Sequence, residues 1–321
     1  MSEVQIKQQV REFYDQVGWQ VVGEDLYQNA RYEDLRPVSR EYIHLCHMRV
    51  KRFLKSSGRY LLDAGSGPVQ YPEYLTYSED YVYRVCLDIS IVALREARKR
   101  FFDLNLSKHG LFVVADVANL PFKAGVFEGI VSLHTLHHLP LAEQEKAYLD
   151  LHRVLVTGCS AVVVNGWTET PLMRIAQPFI ITAEWLISKS ESVRKRWKRL
   201  LGKSEREPVQ PLKEGSDKVV TTFSSSPVST PTRTFIQKRD APGLREMLKG
   251  RFKYEIYVWR SVSVRFLRAL IHDPLAGRYW LRQLYRLEER FPHWFGEKGQ
   301  YPLLVLCKHS TALDQQLSIE D

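Results

Sequence analysis

Short apolar runs alternate with amphipathic stretches through the middle of the chain. Three of these runs end in an acidic residue, at Asp63, Asp88 and Asp116. The remaining apolar runs and helical stretches of this region are 91–101, 129–133, 142–155 and 161–164. This alternation predicts an α/β fold, with a mostly parallel sheet and helices on both faces. Right-handed crossovers then bring the C-terminal ends of the strands to one edge of the sheet.

The regions on either side of this core have different patterns. Apolar residues at helical spacing within 4–17 and 39–54 predict a helical cap. Residues 168–240 interrupt the alternation with an apolar helical stretch, a basic run and a Ser/Thr/Pro tract, which predict an inserted lid with a basic helix and a flexible loop at 203–232. The predicted division is a cap at 1–57, a core at 58–167, the lid at 168–240, the rest of the core sheet at 241–308 and a tail at 309–321.

Composition narrows the class of protein. The 321 residues are 44% hydrophobic and 26% charged, as in ordinary globular proteins. The four cysteines form no C-x-x-C pair, so neither a zinc knuckle nor a redox motif is expected. A reducing, cytoplasmic compartment is the expectation. The charged N-terminal stretch lacks the apolar core of a signal peptide, and no uninterrupted apolar run is long enough to predict a membrane-spanning helix.

The strongest chemical signal is the sequence LLDAGSGP at 61–68. Gly65 and Gly67 allow a tight turn and a close approach of the backbone to a ligand. Asp88 follows 21 residues after Gly67, where its carboxylate is expected to accept the hydroxyl groups of a ribose. Asp116, at the end of the next strand, is expected to accept an adenine amino group. A tight turn without a ligand and a helix-capping role for Asp88 are the structural alternatives.

These motifs, in this order, resemble the class I methyltransferases that depend on S-adenosylmethionine (SAM). LLDAGSGP is similar to the glycine motif of that family, VCLDIS to its ribose motif and VVADVANLPF to its adenine motif. GIVSLHTLHHL and LHRVLVTGCSAVVV are similar to the segments beside its active site. The LPF ending is similar to the small-molecule methyltransferases of ubiquinone and menaquinone synthesis. The resemblance covers about half of the chain, from Arg59 to Trp167 and again in the last two strands.

The resemblance implies a Rossmann-like, seven-stranded sheet whose final strand is antiparallel. It also implies SAM as cofactor and S-adenosylhomocysteine (SAH) as product. The implied cofactor-binding residues are Asp63, Ala64, Gly65, Ser66, Gly67, Asp88, Ile89, Asp116, Val117, Leu133 and His134, with Tyr14 of the cap added to them. The chain departs from the family at Val69, where a third glycine is common, and at Cys159. Nicotinamide binding is the rival hypothesis, but it requires a glycine where this chain has Gln70.

Three histidines follow the fourth strand of the predicted core, at His134, His137 and His138. The resemblance places this turn at the mouth of the methyl-donor pocket. We expect His138 to act as a general base, and His134 to contact SAM or to serve as the base. A structural role for each histidine stays open. His134 and His138 have the spacing of metal ligands on a helix, but no third ligand accompanies them, so no metal is expected.

The acceptor is the least defined part of the prediction. The position of the lid favours a small, lipophilic or aromatic metabolite, methylated on oxygen or carbon, and Tyr14, Trp19, Tyr27 and Tyr42 are candidates to line its pocket. Arg36 and Arg40 are candidates to bind the SAM carboxylate or an acidic substrate group. The open alternatives are other SAM chemistry, such as cyclisation coupled to methylation, and a protein that binds nucleic acid or lipid. The sequence does not define the oligomeric state.

The net charge of +9 is concentrated in one segment, because residues 189–206 contain eight Lys or Arg and two Glu. A basic run can indicate nucleic acid. However, the turn after the fourth strand lacks the Asn/Asp-Pro-Pro-aromatic sequence that enzymes methylating a ring amino group have there, so nucleic acid is not the favoured partner. The apolar stretch before the basic run is also typical of a peripheral contact, here of residues 172–201, with a membrane or a lipophilic substrate. A lid helix packed on the core, with a solvated basic face, is the structural alternative.

Overall fold

A computed structural model describes residues 2–23, 26–27, 33–168, 170–200 and 234–309, of which 21–23, 26–27 and 190–200 are described by their backbone alone. The described helices are α1 (Glu3–Phe13), α2 (Arg40–Met48), α3 (Pro72–Thr76), α4 (Ile91–Asp103), α5 (Leu141–Val154), α6 (Pro171–Leu200), α7 (Ala241–Leu248), α8 (Val264–Leu270), α9 (Gly277–Arg290) and α10 (Pro292–Lys298). The described strands are β1 (Val21–Gly23), β2 (Leu26–Tyr27), β3 (Gly58–Ala64), β4 (Tyr81–Asp88), β5 (Gly110–Val114), β6 (Phe127–Leu133), β7 (Leu155–Val164), β8 (Lys253–Arg260) and β9 (Tyr301–Cys307).

Seven strands form one sheet in the order β5-β4-β3-β6-β7-β9-β8. The pairs within β5-β4-β3-β6-β7 are parallel, whereas β9 is antiparallel to both β7 and β8. The seven-stranded Rossmann-like sheet and its antiparallel final strand are therefore confirmed. The strand order reverses between β3 and β6, and open α/β sheets bind ligands at such a point, outside the carboxyl ends of the strands.

The core lies on both faces of the sheet, because successive residues of a strand point to opposite faces. Leu61 packs in a cluster with Leu94 and Phe101 of α4. Leu62, its neighbour in β3, packs in a second cluster with Leu151 and Val154 of α5. Helices cover both faces of the sheet, as the alternating pattern predicts. A ligand can therefore bind at the carboxyl ends of the strands.

The N-terminal cap begins with a capping box at α1, in which the Ser2 hydroxyl accepts from the Gln5 backbone and the Gln5 side chain accepts from the Ser2 backbone. Such a pair fixes the start of a helix. The buried side chains of α1 are Ile6, Val10 and Phe13, and a π-helical turn over Tyr14–Gly18 continues it. The predicted helical cap is present, and it places the Tyr14–Trp19 segment beside the sheet.

The chain leaves the sheet after β7 and returns at β8. The intervening α6 is one helix of 30 residues that contains both the apolar stretch and the start of the basic run. No helix among the described residues is long and apolar enough to cross a membrane. The predicted loop at 203–232 and nearly all of the predicted tail lie outside the described residues, and the division into cap, core, lid and tail stays a prediction.

Candidate functional site

The turn after β3 is built from backbone shapes that glycine adopts readily. Gly65 has φ +79° and Gly67 has φ +53°. The Gly65 and Ser66 N–H groups both donate to the Leu87 carbonyl, at 2.7 and 3.0 Å. A Cβ added at Gly65 would collide with the Thr135 side chain, and one at Gly67 would lie 2.9 Å from the Trp19 ring. Both glycines are therefore required by the close approach of neighbouring groups.

Val69 keeps a glycine-like backbone although it is β-branched. Its φ is +53° and its side chain is fully buried. A left-handed conformation costs an L-residue roughly 1–2 kcal/mol, and strain of this kind is often found at functional sites. The departure from the family's third glycine therefore changes the side chain but leaves the backbone in the left-handed region.

Asp63 and Arg84 form a buried ion pair behind the glycine turn. The Arg84 Nη2 atom donates to Asp63 Oδ2 at 2.5 Å, and both side chains are buried. Burial alone would lower the pKa of Arg84, but the Asp63 carboxylate raises it above its ordinary value. The pair joins the end of β3 to the middle of β4, and a direct contact of Asp63 with the cofactor stays a prediction.

Asp88 lies at the end of β4, directly against the glycine turn. Its Oδ2 accepts from the Gly67 N–H and its Oδ1 from the Ser90 N–H, both at 2.9 Å. Burial raises the pKa of Asp88 to about 6, although both backbone donors act to lower it. An ionised carboxylate accepts about four hydrogen bonds, so each oxygen retains capacity for a ribose hydroxyl. The geometry fits the role that the sequence predicts.

Asp116 lies at the next strand end, where α1 covers it. Lys7 Nζ contacts Asp116 Oδ2 and Glu143 Oε1, each at 2.5 Å. The Asp116 Oδ1 atom accepts from the Ala118 N–H at 2.9 Å, which fixes the carboxylate. Six other predicted residues lie along the same edge of the sheet. Ala64, Ser66 and Val117 are buried, and Ile89, Leu133 and His134 are half-buried.

The cap contacts the same edge through two further hydrogen bonds, and two of its own rings stack on each other. The Ser90 hydroxyl donates to Asp15 Oδ1, the Tyr14 hydroxyl contacts His138 Nε2, and the Trp19 ring stacks on Tyr14 at 5.2 Å. Sequence reasoning singled out Tyr14 and Trp19 but missed Asp15, Lys7 and Glu143. A signal exists for Lys7, because it lies seven residues before Tyr14 and therefore on the same helical face.

The hydrogen bonds of His138 fix its tautomer. Its Nδ1 lies 2.7 Å from the Phe235 carbonyl oxygen, which can only accept, so Nδ1 carries the proton. Its Nε2 therefore accepts from the Tyr14 hydroxyl at 2.8 Å. Burial lowers the pKa of His138 to about 4. The ring is neutral at physiological pH, and its basic nitrogen is bonded to a residue of the cap.

His134 has a different environment. It has φ +58°, and its ring packs against Trp259 at 4.9 Å and Tyr301 at 5.6 Å. Burial lowers its pKa to about 3. Within the described ranges, no group of three or more His, Cys, Asp or Glu side chains is placed to hold a metal ion. His134 therefore joins the glycine edge to an aromatic wall formed by β8 and β9.

Some of the residues that the sequence suggested for the acceptor pocket or the SAM carboxylate lie away from the glycine turn. The Arg36 guanidinium pairs with Asp34 at 2.8 Å, and Arg40 is exposed on α2, so neither lies against the glycine turn. The Tyr42 hydroxyl donates to Glu288 in the core at 2.7 Å. The side chain of Tyr27 lies outside the described residues. The site therefore combines the predicted strand-end residues with the 7–19 segment and leaves these candidates out.

The segment that carries this site is similar to known proteins. Residues 62–163, about a third of the chain, match a family described as a methyltransferase domain, Methyltransf_11. The matched segment holds the glycine turn, the three strand-end acids and the three histidines. The matched segment is a methyltransferase domain. The protein is therefore a methyltransferase, and SAM is its cofactor.

The fold is also similar to solved structures of low sequence identity. The 4+2 cyclase SpnF is 15% identical, with 94% of this chain and 97% of that chain covered and a TM-score of 0.49. Geranyl diphosphate C-methyltransferase from Streptomyces coelicolor A3(2) is 12% identical, with the same shares covered and a TM-score of 0.48. YcgJ from Bacillus subtilis is 12% identical, with 84% and 99% covered and a TM-score of 0.44. No curated protein sequence matches the chain.

Proposed function

We propose that the protein transfers the methyl group of SAM to an oxygen or carbon atom of a small, lipophilic or aromatic metabolite. The observation that supports this acceptor class is the contact of His134 with the Trp259 and Tyr301 rings. Flat aromatic walls beside the cofactor edge favour a planar or apolar acceptor. The protein is proposed to act in the cytoplasm, as the sequence predicts.

The chain's own groups have modest tasks in this reaction. Bound SAM supplies an electrophilic methyl group on a positively charged sulfur. Asp88 would hold the ribose, and the Gly65–Gly67 turn would approach the methionine portion without side chains in the way. The rings around His134 would orient the acceptor and exclude water from the methyl group. Alignment and exclusion of water account for much of the rate enhancement that such a transfer needs.

A protonated oxygen nucleophile would also require a base. The Tyr14 hydroxyl donates to the unprotonated Nε2 of His138. An acceptor hydroxyl that donates to the Tyr14 oxygen would lose its proton to Tyr14 as Tyr14 passes its own proton to His138. The role predicted for His138 is therefore proposed to be exerted through Tyr14.

We expect His138→Gln to slow methylation of a neutral hydroxyl acceptor by about 100-fold, because general-base catalysis contributes about 10²–10⁴-fold. An acceptor that is already ionised should be methylated at nearly the normal rate. The affinity for SAH should not change. His137→Gln is the matched control, since His137 is also half-buried but bonds to Asn165. Equal losses for both variants, or for both acceptors, would contradict the role of His138.

The acceptor class is tested by turnover. The protein is incubated with SAM and a panel of phenols, aromatic acids and isoprenoid alcohols, and SAH release and product mass are measured together. Methylation gives one SAH for each product heavier by one methyl group. A rearranged product would favour cyclisation chemistry. SAH binding without turnover of any acceptor would favour a binding protein.

The helix α6 supports the further proposal of contact with a membrane surface. Phe179 and Trp185 are 66% and 54% exposed on it, and Ile175 and Leu186 are exposed nearby. Lys189 lies over the Trp185 ring at 4.0 Å, where the basic run begins. An apolar face next to a basic one is typical of helices that lie at an anionic membrane interface.

Replacing both Phe179 and Trp185 with serine should reduce sedimentation with vesicles containing phosphatidylglycerol by at least tenfold. Full burial of one large apolar side chain contributes about 1.5–3 kcal/mol, so the loss of two has a large effect. Phe102→Ser is the control, because Phe102 is 72% exposed on α4. An equal loss in the control, or equal binding to uncharged vesicles, would count against the proposal.

A further inference from the structure

Three charged or titratable side chains meet between the cap and the end of β8. They are Glu33, His47 of α2 and Arg260, each no more than 5% exposed. The Arg260 Nη1 atom donates to Glu33 Oε1, and His47 Nε2 lies 3.8 Å from Glu33 Oε2. We call these three residues the buried polar cluster. Charged side chains are rarely fully buried unless they are paired, and here Arg260 and Glu33 are paired with each other.

Aromatic rings connect this cluster to the cofactor edge. The His47 ring lies 5.0 Å from Tyr71 and 5.1 Å from Trp259, and Trp259 lies 4.9 Å from His134. The Arg260 guanidinium lies over the Tyr301 ring at 4.7 Å. His134 follows β6 at the switch point of the sheet, and Tyr71 follows the glycine turn. The cluster therefore lies behind an aromatic wall that begins at the proposed site of methyl transfer.

Several polar atoms of this region have no hydrogen-bond partner within the part of the chain that the structure describes. They are Nδ1 and Nε2 of His47, Nε1 of Trp259 and Nε of Arg260. An unsatisfied buried polar group destabilises the fold, so close packing alone gives no reason to keep four of them. Burial lowers the pKa of His47 to about 3, so its ring is neutral. The set thus offers three N–H donors and one acceptor nitrogen.

A donor-rich set of this kind matches an oxygen group that only accepts hydrogen bonds. Burial alone would lower the pKa of Arg260, but the Glu33 carboxylate raises it, so Arg260 stays charged. Its Nη1 atom bonds Glu33, and its Nε–H is left for a ligand. A carboxylate would accept from Arg260, Trp259 and His47 together, and charge-assisted bonds of this type are about twice as strong as neutral ones.

We infer that the buried polar cluster and Trp259 form the polar end of the acceptor site, and that the acceptor is a planar ring carrying a carboxylate. This inference rests on the proposed function, because it names the substrate class of the same site. The ring would lie among Tyr71, Trp259 and His134, in place of the contacts these rings make with one another. The carboxylate would be held at the cluster while the opposite end of the ring faces the methyl donor.

The probes are benzoate, benzamide and cyclohexanecarboxylate, titrated by calorimetry into the full-length protein saturated with SAH. Benzamide keeps the ring and loses the charge, and cyclohexanecarboxylate keeps the charge and loses the planar ring. Benzoate should bind at least tenfold more tightly than either. Equal affinities for benzoate and benzamide would overturn the inference while leaving the proposed function intact. Failure of SAH itself to bind would overturn the proposed function and this inference with it.

A paired variant tests the cluster without leaving a buried charge. Glu33→Gln with Arg260→Gln should lower benzoate affinity at least tenfold and leave the affinities for benzamide and SAH within about twofold. Arg49→Gln with Glu288→Gln is the matched control, because this second Arg–Glu pair is also buried, with 2.9 Å between the charged atoms. An equal loss of benzoate affinity in the control pair would assign the effect to general packing and overturn the inference.

His47 provides a test with opposite effects on stability and binding. His47→Phe removes two unsatisfied polar atoms and keeps a ring, so the melting temperature should rise by about 2–4 °C. Benzoate affinity should fall about tenfold, because an N–H donor is lost. Unchanged benzoate affinity, at whatever melting temperature, would overturn the role of His47 in the acceptor site.

Discussion

Replacing Asp88 with alanine is expected to weaken SAH binding by at least 100-fold while the protein remains folded. The carboxylate accepts from the Gly67 and Ser90 N–H groups at 2.9 Å and has capacity for two ribose hydroxyls. A hydrogen bond to a charged group contributes about 1.5–3 kcal/mol, so the loss of two corresponds to roughly 10²–10⁴-fold in affinity. Calorimetric titration with SAH measures the loss, and a circular dichroism melt verifies the fold.

The pH dependence of binding gives an independent test of Asp88. Burial, together with the nearby Asp63 and Asp15 charges, raises its pKa from 3.8 to about 6. The ionised form is the better acceptor for hydroxyl groups, so SAH affinity should be constant above about pH 7. It should fall roughly tenfold for each pH unit below about 6, because the proton must first leave. Asp88→Asn should bind weakly with no such slope. A flat profile in the wild-type protein would contradict the role of Asp88.

The raised pKa of Asp88 also affects the stability of the ligand-free protein. Because the folded pKa lies above the ordinary value, Asp88 contributes stability below about pH 4, and this contribution is lost as the pH rises through about 6. Ribose hydroxyls would compensate the ionised carboxylate. The rise in melting temperature that SAH produces should therefore be larger at pH 7 than at pH 5. Asp88→Asn separates this effect from other titrating groups, because its SAH-induced rise should not depend on pH in this range.

The sheet and its ligand edge could be predicted because their signals are local. Asp63, Asp88 and Asp116 each end an apolar run, and the right-handed crossover rule brings such ends together. The glycine spacing predicts the turn in the same way. The antiparallel final strand came only from the family resemblance, because nothing in YPLLVLC indicates the direction of its partners.

Partners that are distant in sequence could not be predicted. Glu33 and Arg260 are 227 positions apart, and Lys7 is 109 positions from Asp116, so their pairing depends on the completed fold. The partner of Asp63 is an intermediate case. Arg84 stands inside the apolar strand YVYRVCLD, and a buried arginine requires an acid nearby. That signal was present, but it did not distinguish which of the neighbouring acids is the partner.

Arg84→Met is expected to give a large loss of stability, about 3–5 kcal/mol in the free energy of unfolding. Arg84 and Asp63 are both buried, and removal of one member of a buried ion pair leaves an uncompensated charge. The variant also loses the hydrogen bonds that Arg84 donates to the Tyr74 carbonyl and to Ser78 Oγ. Urea unfolding measures the change. Lys51→Met is the control, because its pair with Glu79 is exposed and such pairs contribute about 0–1 kcal/mol.

The double variant Asp63→Asn with Arg84→Met resolves what Asp63 does. With no charge left unpaired, it should recover more than half of the stability lost in Arg84→Met, since replacing both members of a buried pair is often close to neutral. Its SAH affinity then separates two roles. A change of less than about threefold means that Asp63 supports the glycine turn through Arg84. A loss of tenfold or more in a protein of recovered stability means that the Asp63 carboxylate itself contacts the methionine end of the cofactor, as the family resemblance implies.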